Sequence, residues 1–160
     1  MKEIKLVTKL FVFDSLQELP DDVKALMNSA KEARKKAYSP YSNFSVGTAL
    51  LLDNGEIITG SNQENASYPS GLCAERTAIY YAGSQFPKAK VLKMAIIAGS
   101  KEKKTETPIP PCGACRQAIA EYEVKQDTPI EIYFMGEIGK VVKSNSLANL
   151  LPLIFDKSAL

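Results

Sequence analysis

The chain's only three cysteines stand in two short stretches, Cys73 in SGLCAERTAIYYAG and Cys112 and Cys115 in PPCGACRQAIAEY, and there is no histidine. If these thiols act together, any fold of the chain must carry two distant segments to one point. The CxxC spacing of Cys112 and Cys115 lets both sulfurs reach one ion. An odd number of thiols argues against a disulfide framework. The opening MKEIKLVTKLFVF mixes lysines and a glutamate with apolar residues and lacks the apolar centre of a signal peptide. Nothing approaches the ~18 continuous apolar residues of a membrane span. The sequence therefore predicts a cytoplasmic protein with reduced thiols, whose use is metal binding or redox chemistry.

With 160 residues the chain has the length of one domain, 1–160, able to bury roughly 70 % of its unfolded surface. Residues 3–13 alternate weakly and read as a strand or an arm. ELPDDVKALMNSAKEARKKAY reads as a helix: Val23, Leu26, Met27, Ala30, Ala33 and Ala37 keep a helical spacing, with Asp21 or Asp22 near the start and cations at the end. SVGTALLLDNGEIITGSN reads as a β-hairpin turning at Asp53-Asn54-Gly55, because Asn and Gly tolerate positive φ. The polar loop NQENASYPSG leads into a helix from about Leu72 to Gly83. VLKMAIIAGS reads as a buried strand and KEKKTETPIPP as a loop. A second cysteine-bearing helix runs from about Cys112 to Tyr122. PIEIYFMG and KVVKS follow as strands, and SLANLLPLIF as a short helix with a tail. This order predicts one α/β domain with helices on both faces of a sheet.

Both cysteine stretches lie where a loop becomes a helix. Unpaired N–H groups and the positive end of the helix dipole favour a thiolate there. Three thiolates with one open position form a catalytic pattern for zinc. Structural sites close with four ligands, and no Cys or His remains to supply the fourth; an Asp or Glu can, including Glu75 itself. As a non-ligand, Glu75 can aim at the open position, take a proton from water and pass it to a substrate nitrogen. Three thiolates leave a zinc site with a net negative charge, and Arg76 can offset it by donating to a sulfur.

The stretches YSPYSNFSVGTALL, GSNQENASYPSGLCAERTAI and PCGACRQ, with the tail LLPLIF, resemble in order and spacing the zinc-dependent cytidine deaminases of the three-cysteine, homotetrameric type. The resemblance implies a three-layer α/β/α fold with a central mixed sheet, and one zinc per chain on Cys73, Cys112 and Cys115. It makes Glu75 the proton shuttle and assigns Asn62 and Glu64 to the ribose 3′-hydroxyl. Phe44 would pack on the pyrimidine and the Ala74 backbone would meet the base edge. Tyr68 would stand at the rim, with Phe155 arriving from a neighbouring subunit. The implied reaction is hydrolysis of cytidine and 2′-deoxycytidine to the uridines with release of ammonia, in pyrimidine salvage. The first 20 residues extend beyond the family's common core, the loop before Cys112 carries a charged insert, and Leu153 and Ile154 replace small residues.

A net charge of +2 gives no electrostatic track for a nucleic-acid strand, so the expected partner is a small nucleoside. Related nucleobase or blasticidin-type deaminases are less favoured, because NQEN supplies a ribose pair. A CxxC redox protein would leave Cys73 and Glu75 without a use, and a zinc-stabilised binding module would leave Glu75 idle. The apolar tail Leu147, Leu150, Leu151, Leu153, Ile154 and Phe155 predicts an exposed patch on a monomer, and so a homo-oligomer, with a homotetramer implied by the resemblance.

Overall fold

A computed structural model describes every residue from Met1 to Leu160. It contains β1 (Phe11–Phe13), α1 (Asp21–Arg34), β2 (Phe44–Leu52), β3 (Ile57–Ser61), α2 (Ala74–Gln85), β4 (Val91–Ser100), α3 (Gly113–Gln126), β5 (Glu131–Met135) and β6 (Val141–Ser144). The strands form one sheet in the order β1-β6-β5-β4-β2-β3. Only β4 and β5 pair in parallel; every other neighbouring pair is antiparallel. Period-2 alternation divides the core. Leu50, Met94, Ile96, Ile132 and Phe134 face one side with Ile79 of α2 and Ile119 of α3. Ala49, Ala95, Ile97, Tyr133 and Met135 face the other side with Val23, Leu26, Met27 and Ala30 of α1. The result is the expected three-layer arrangement around a mixed sheet. No helix is long and apolar enough to cross a membrane.

The β2–β3 hairpin turns where the sequence predicts. Gly55 has φ 86°, its N–H donates to the Leu52 carbonyl, and the Asn54 side chain accepts from the Glu56 N–H at 3.0 Å. Helix α1 stops at Arg34, short of the predicted Tyr38. The Tyr38 N–H donates to the Asn62 carbonyl and its own carbonyl accepts from Glu64, so this long-range pairing draws the chain out of the helix. Residues 3–13 divide into an arm and β1, which pairs with β6.

The tail departs from expectation. SLANLLPLIF forms only a single 3-10 turn at Leu147–Asn149, fixed by Glu123, whose carboxylate accepts from the Leu147 N–H at 2.8 Å and the Ser146 hydroxyl at 2.6 Å. Leu147 and Leu150 are buried in their own chain, and Leu151 and Ile154 pack against the same core. The expected six-residue patch therefore shrinks to Leu153 and Phe155, which stay 79 % and 63 % exposed.

The topology decides where a site can form. β3 and β4 flank β2 and are both antiparallel to it, so they run in the same direction. Their C-terminal ends lie at one end of the sheet, and α2 and α3 both start from loops leaving that end. Gly60 sets how closely α2 approaches. A Cβ added there would stand 2.5 Å from the Ala74 carbonyl oxygen and 2.7 Å from the Ala78 nitrogen. Gly60→Ala is expected to cost about 1–3 kcal/mol in a urea titration, with a drop in turnover because it displaces the first turn of α2. A midpoint and rate equal to those of the unaltered chain would show that α2 moves outward freely.

Candidate active site

Cys73 caps the N-terminus of α2 and Cys112 that of α3, while Cys115 lies in the first turn of α3. The three Sγ atoms lie within 4.8 Å of one another, and Cys112 and Cys115 are 3.5 Å apart. Sulfurs on a tetrahedron with Zn–S bonds of about 2.3 Å would stand roughly 3.8 Å apart, so this donor set fits zinc with little adjustment. Hydrogen bonding from the Cys115 thiol, with Arg76 beside it, brings the Cys73 pKa down to about 5 despite partial burial. The same contact, together with burial and the nearby Glu75, pushes Cys115 the other way. A divalent cation would strip such a cluster of its protons.

Arg76 donates from Nη2 to the Cys73 Sγ at 3.6 Å, the contact its position beside Glu75 leads one to expect. Its Nε is buried without a protein partner. Glu75, in the first turn of α2, is only 5 % exposed. Burial raises its pKa; its own backbone N–H opposes that rise, and the Cys73 charge adds to it. A carboxyl shifted toward neutrality is suited to exchanging protons.

A pocket of about 370 Å³ opens beside Cys73 and Arg76, and Asn62, Glu64 and Tyr68 line it. Such a volume suits a small molecule. The Asn62 amide donates to the Phe44 carbonyl at 2.9 Å and accepts from the Val46 N–H at 2.8 Å, which leaves one N–H and one lone pair for a ligand. The Glu64 carboxylate accepts from the Ser42 hydroxyl, and from the N–H groups of Tyr41 at 2.9 Å and Ser42 at 3.3 Å. The Ser42 hydroxyl and then the Tyr41 N–H hold its pKa below the ordinary glutamate value. The loop's support from Glu64 is therefore complete above the ordinary glutamate pKa and fades as pH falls through the lowered one.

Other sequence-predicted residues lie apart from this lining. Phe44 is half-buried at the start of β2 and Ala74 is buried at the start of α2. Phe155 projects into solvent, with its carbonyl accepting from Gln117 at 2.7 Å. Sequence reasoning missed Tyr41 and Ser42, which line the pocket and hold Glu64 through their N–H groups; the Tyr41 and Tyr68 rings stand 5.9 Å apart by centroid. Arg116 was also missed. It carries the same signal as Arg76, an arginine close to a candidate ligand, and it donates to the Pro111 carbonyl at 2.8 Å and the Leu150 carbonyl at 3.0 Å.

The family model described as the cytidine and deoxycytidylate deaminase zinc-binding region matches residues 20–128. This chain belongs to that family of zinc-binding deaminases. Within the family its relatives are cytidine deaminases. That of Halalkalibacterium halodurans is 41 % identical over 134 residues, covering 84 % of this chain and 94 % of the relative. That of Sporosarcina psychrophila is 40 % identical over 139 residues, covering 87 % and 95 %. The crystal structure of cytidine deaminase from Burkholderia pseudomallei matches with a TM-score of 0.70 at 39 % identity, covering 82 % of this chain and 97 % of that one.

Proposed function

We propose that this chain is a cytoplasmic enzyme that hydrolyses cytidine and 2′-deoxycytidine to the corresponding uridines and ammonia, using one zinc ion held by Cys73, Cys112 and Cys115. The observation that carries this reading is the convergence of three thiols and a buried glutamate beside a pocket bearing Asn62 and Glu64. Bound zinc supplies Lewis acidity, which makes water a nucleophile at neutral pH. As water adds to C4, Glu75 takes its first proton and delivers it to N3. Glu75 then takes the second proton from the new hydroxyl and hands it to the departing amine, so the C4–N bond breaks as C4=O forms. Arg76 offsets the charge of the thiolates. Asn62 and Glu64 receive the ribose 3′-hydroxyl, the Ala74 backbone meets the base edge, Phe44 backs the pyrimidine and Tyr68 closes the rim. A cytidine absorbance assay with and without a chelator tests the reading; full turnover in the zinc-free chain would refute it.

The charged state of Glu64 also sets the substrate class. A carboxylate beside the sugar repels a phosphate, and the chain has no GxxxxGK loop to cradle one. Cytidine is therefore expected to have a far higher kcat/KM than CMP. Equal values would move the assignment to a nucleotide deaminase.

Phe155 and Leu153 are the exposed remainder of the apolar tail, and a homotetramer in which Phe155 caps a neighbour's pyrimidine would cover them. Base–aromatic stacking of ~1–3 kcal/mol predicts that Phe155→Ala raises KM or lowers kcat with zinc retained. Mixing Glu75→Gln and Phe155→Ala chains should restore activity through hybrid pockets. Confirmed subunit exchange without recovery would place Phe155 in its own chain's site or outside any site.

A further inference from the structure

The family match begins at residue 20, so β1 and the arm before it lie outside it, as does the turn at Leu147–Asn149. The structure connects these outlying pieces to the loop that carries Cys112. β1 adds to the β6 edge of the sheet through Phe11↔Lys143, Val12↔Val142 and Phe13↔Val141. Val142 packs against the core shared with α2 and α3, and Val141 against the core shared with α1. Val12 therefore lies on the α3 side of the sheet, and alternation puts Leu10 on that side too. There Leu10 borders a groove with Pro108, Pro110, Arg116, Asn149 and Leu150. The Lys9 N–H reaches the Asn149 side-chain oxygen at 3.4 Å, a long contact, so the ladder and Leu10 carry most of the attachment.

From this turn the connection continues inward. Arg116 uses two nitrogens to join the Leu150 carbonyl to the Pro111 carbonyl, which immediately precedes Cys112. One guanidinium thus ties the turn beneath the N-terminal arm to the backbone that aims a candidate ligand. Pro110 and Pro111 stiffen that segment, so its position depends on what holds its ends.

We propose that the N-terminal strand is a brace for the second ligand loop: acting through the 147–150 turn and Arg116, it holds Cys112 in ligating position and slows release of the metal. The inference rests on the reading of the three thiols as a zinc site. Groups that orient metal ligands from outside the ligand set change metal affinity about 10–100-fold when removed, which sets the scale expected for the linkage.

The test loads the full chain with zinc and follows transfer of the ion to a chromogenic chelator. A shortened chain beginning at Asp14 should release zinc at least about ten-fold faster. Leu10→Asp, which keeps the full length and sets a charge against the prolines, should accelerate release in the same direction and decides the matter if the shortened chain does not fold. Arg116→Gln should also speed release, and in that background the Leu10 change should add almost nothing because the connection is already broken. Unchanged release from a folded, zinc-loaded Leu10→Asp chain would overturn the brace. So would an undiminished effect in the Arg116→Gln background, which would mark the arm as a general stabiliser. A full chain that binds no zinc would instead overturn the metal site itself, and with it the inference.

Discussion

Glu75→Gln is expected to abolish nearly all turnover of cytidine while zinc content and the thermal transition stay at their original values. The amide keeps the shape and most of the packing of the carboxyl, at a position only 5 % exposed, so the fold has little reason to respond. It cannot accept and return a proton. General acid–base catalysis by one group contributes ~10²–10⁴-fold, and in the proposed mechanism Glu75 serves at least two transfers in one turnover, so the expected loss exceeds that range. The pKa of Glu75 is raised by burial, and the amide has no corresponding titration. The measurement is steady-state turnover beside metal analysis of the same sample. Near-original activity with zinc bound would remove Glu75 from the chemistry.

Cys112→Ala acts on a different quantity. It removes one of three sulfurs lying within 4.8 Å of one another, and the remaining pair cannot hold zinc at a useful affinity. Metal content should fall below a tenth of an equivalent, roughly the scale set by losing a ligand from a site whose binding energy is also folding energy. The thermal transition should fall with it. Adding a chelator should lower the midpoint of the unaltered chain and leave that of the variant in place. A variant that retains one zinc per chain would show that Cys112 is not a ligand.

What the sequence made legible follows the range of each interaction. The Asp53-Asn54-Gly55 turn and the helical spacing of Val23, Leu26, Met27, Ala30 and Ala33 are local, and the structure places them where their patterns predict. The thiol cluster was legible because few uses exist for three cysteines without a histidine. The end of α1 was not, since it depends on Tyr38 pairing with Asn62 and Glu64 across the β2–β3 hairpin. Nor was the grip of Tyr41 and Ser42 on Glu64, which joins loops more than twenty residues apart. SLANLLPLIF misled because composition registers its apolarity and says nothing of Glu123, a charged residue on α3 that folds the segment back onto its own core.

The shared direction of β3 and β4 has a thermodynamic consequence. Because α2 and α3 start at the same end of the sheet, an ion on Cys73, Cys112 and Cys115 closes a ring of chain through α2, β4 and the loop 101–111. Such a clasp acts on the unfolded chain as a covalent cross-link does, restricting the separations its two ends can reach, and a longer ring gains more from closure. Opening the clasp should loosen the seam between the two helices before the sheet gives way, for α1 and the strands are joined by contacts that involve none of the three thiols. A protease should therefore cut the metal-free chain first in the exposed lysine-rich loop at 101–104, at a rate that follows the free zinc concentration rather than the stability of the sheet.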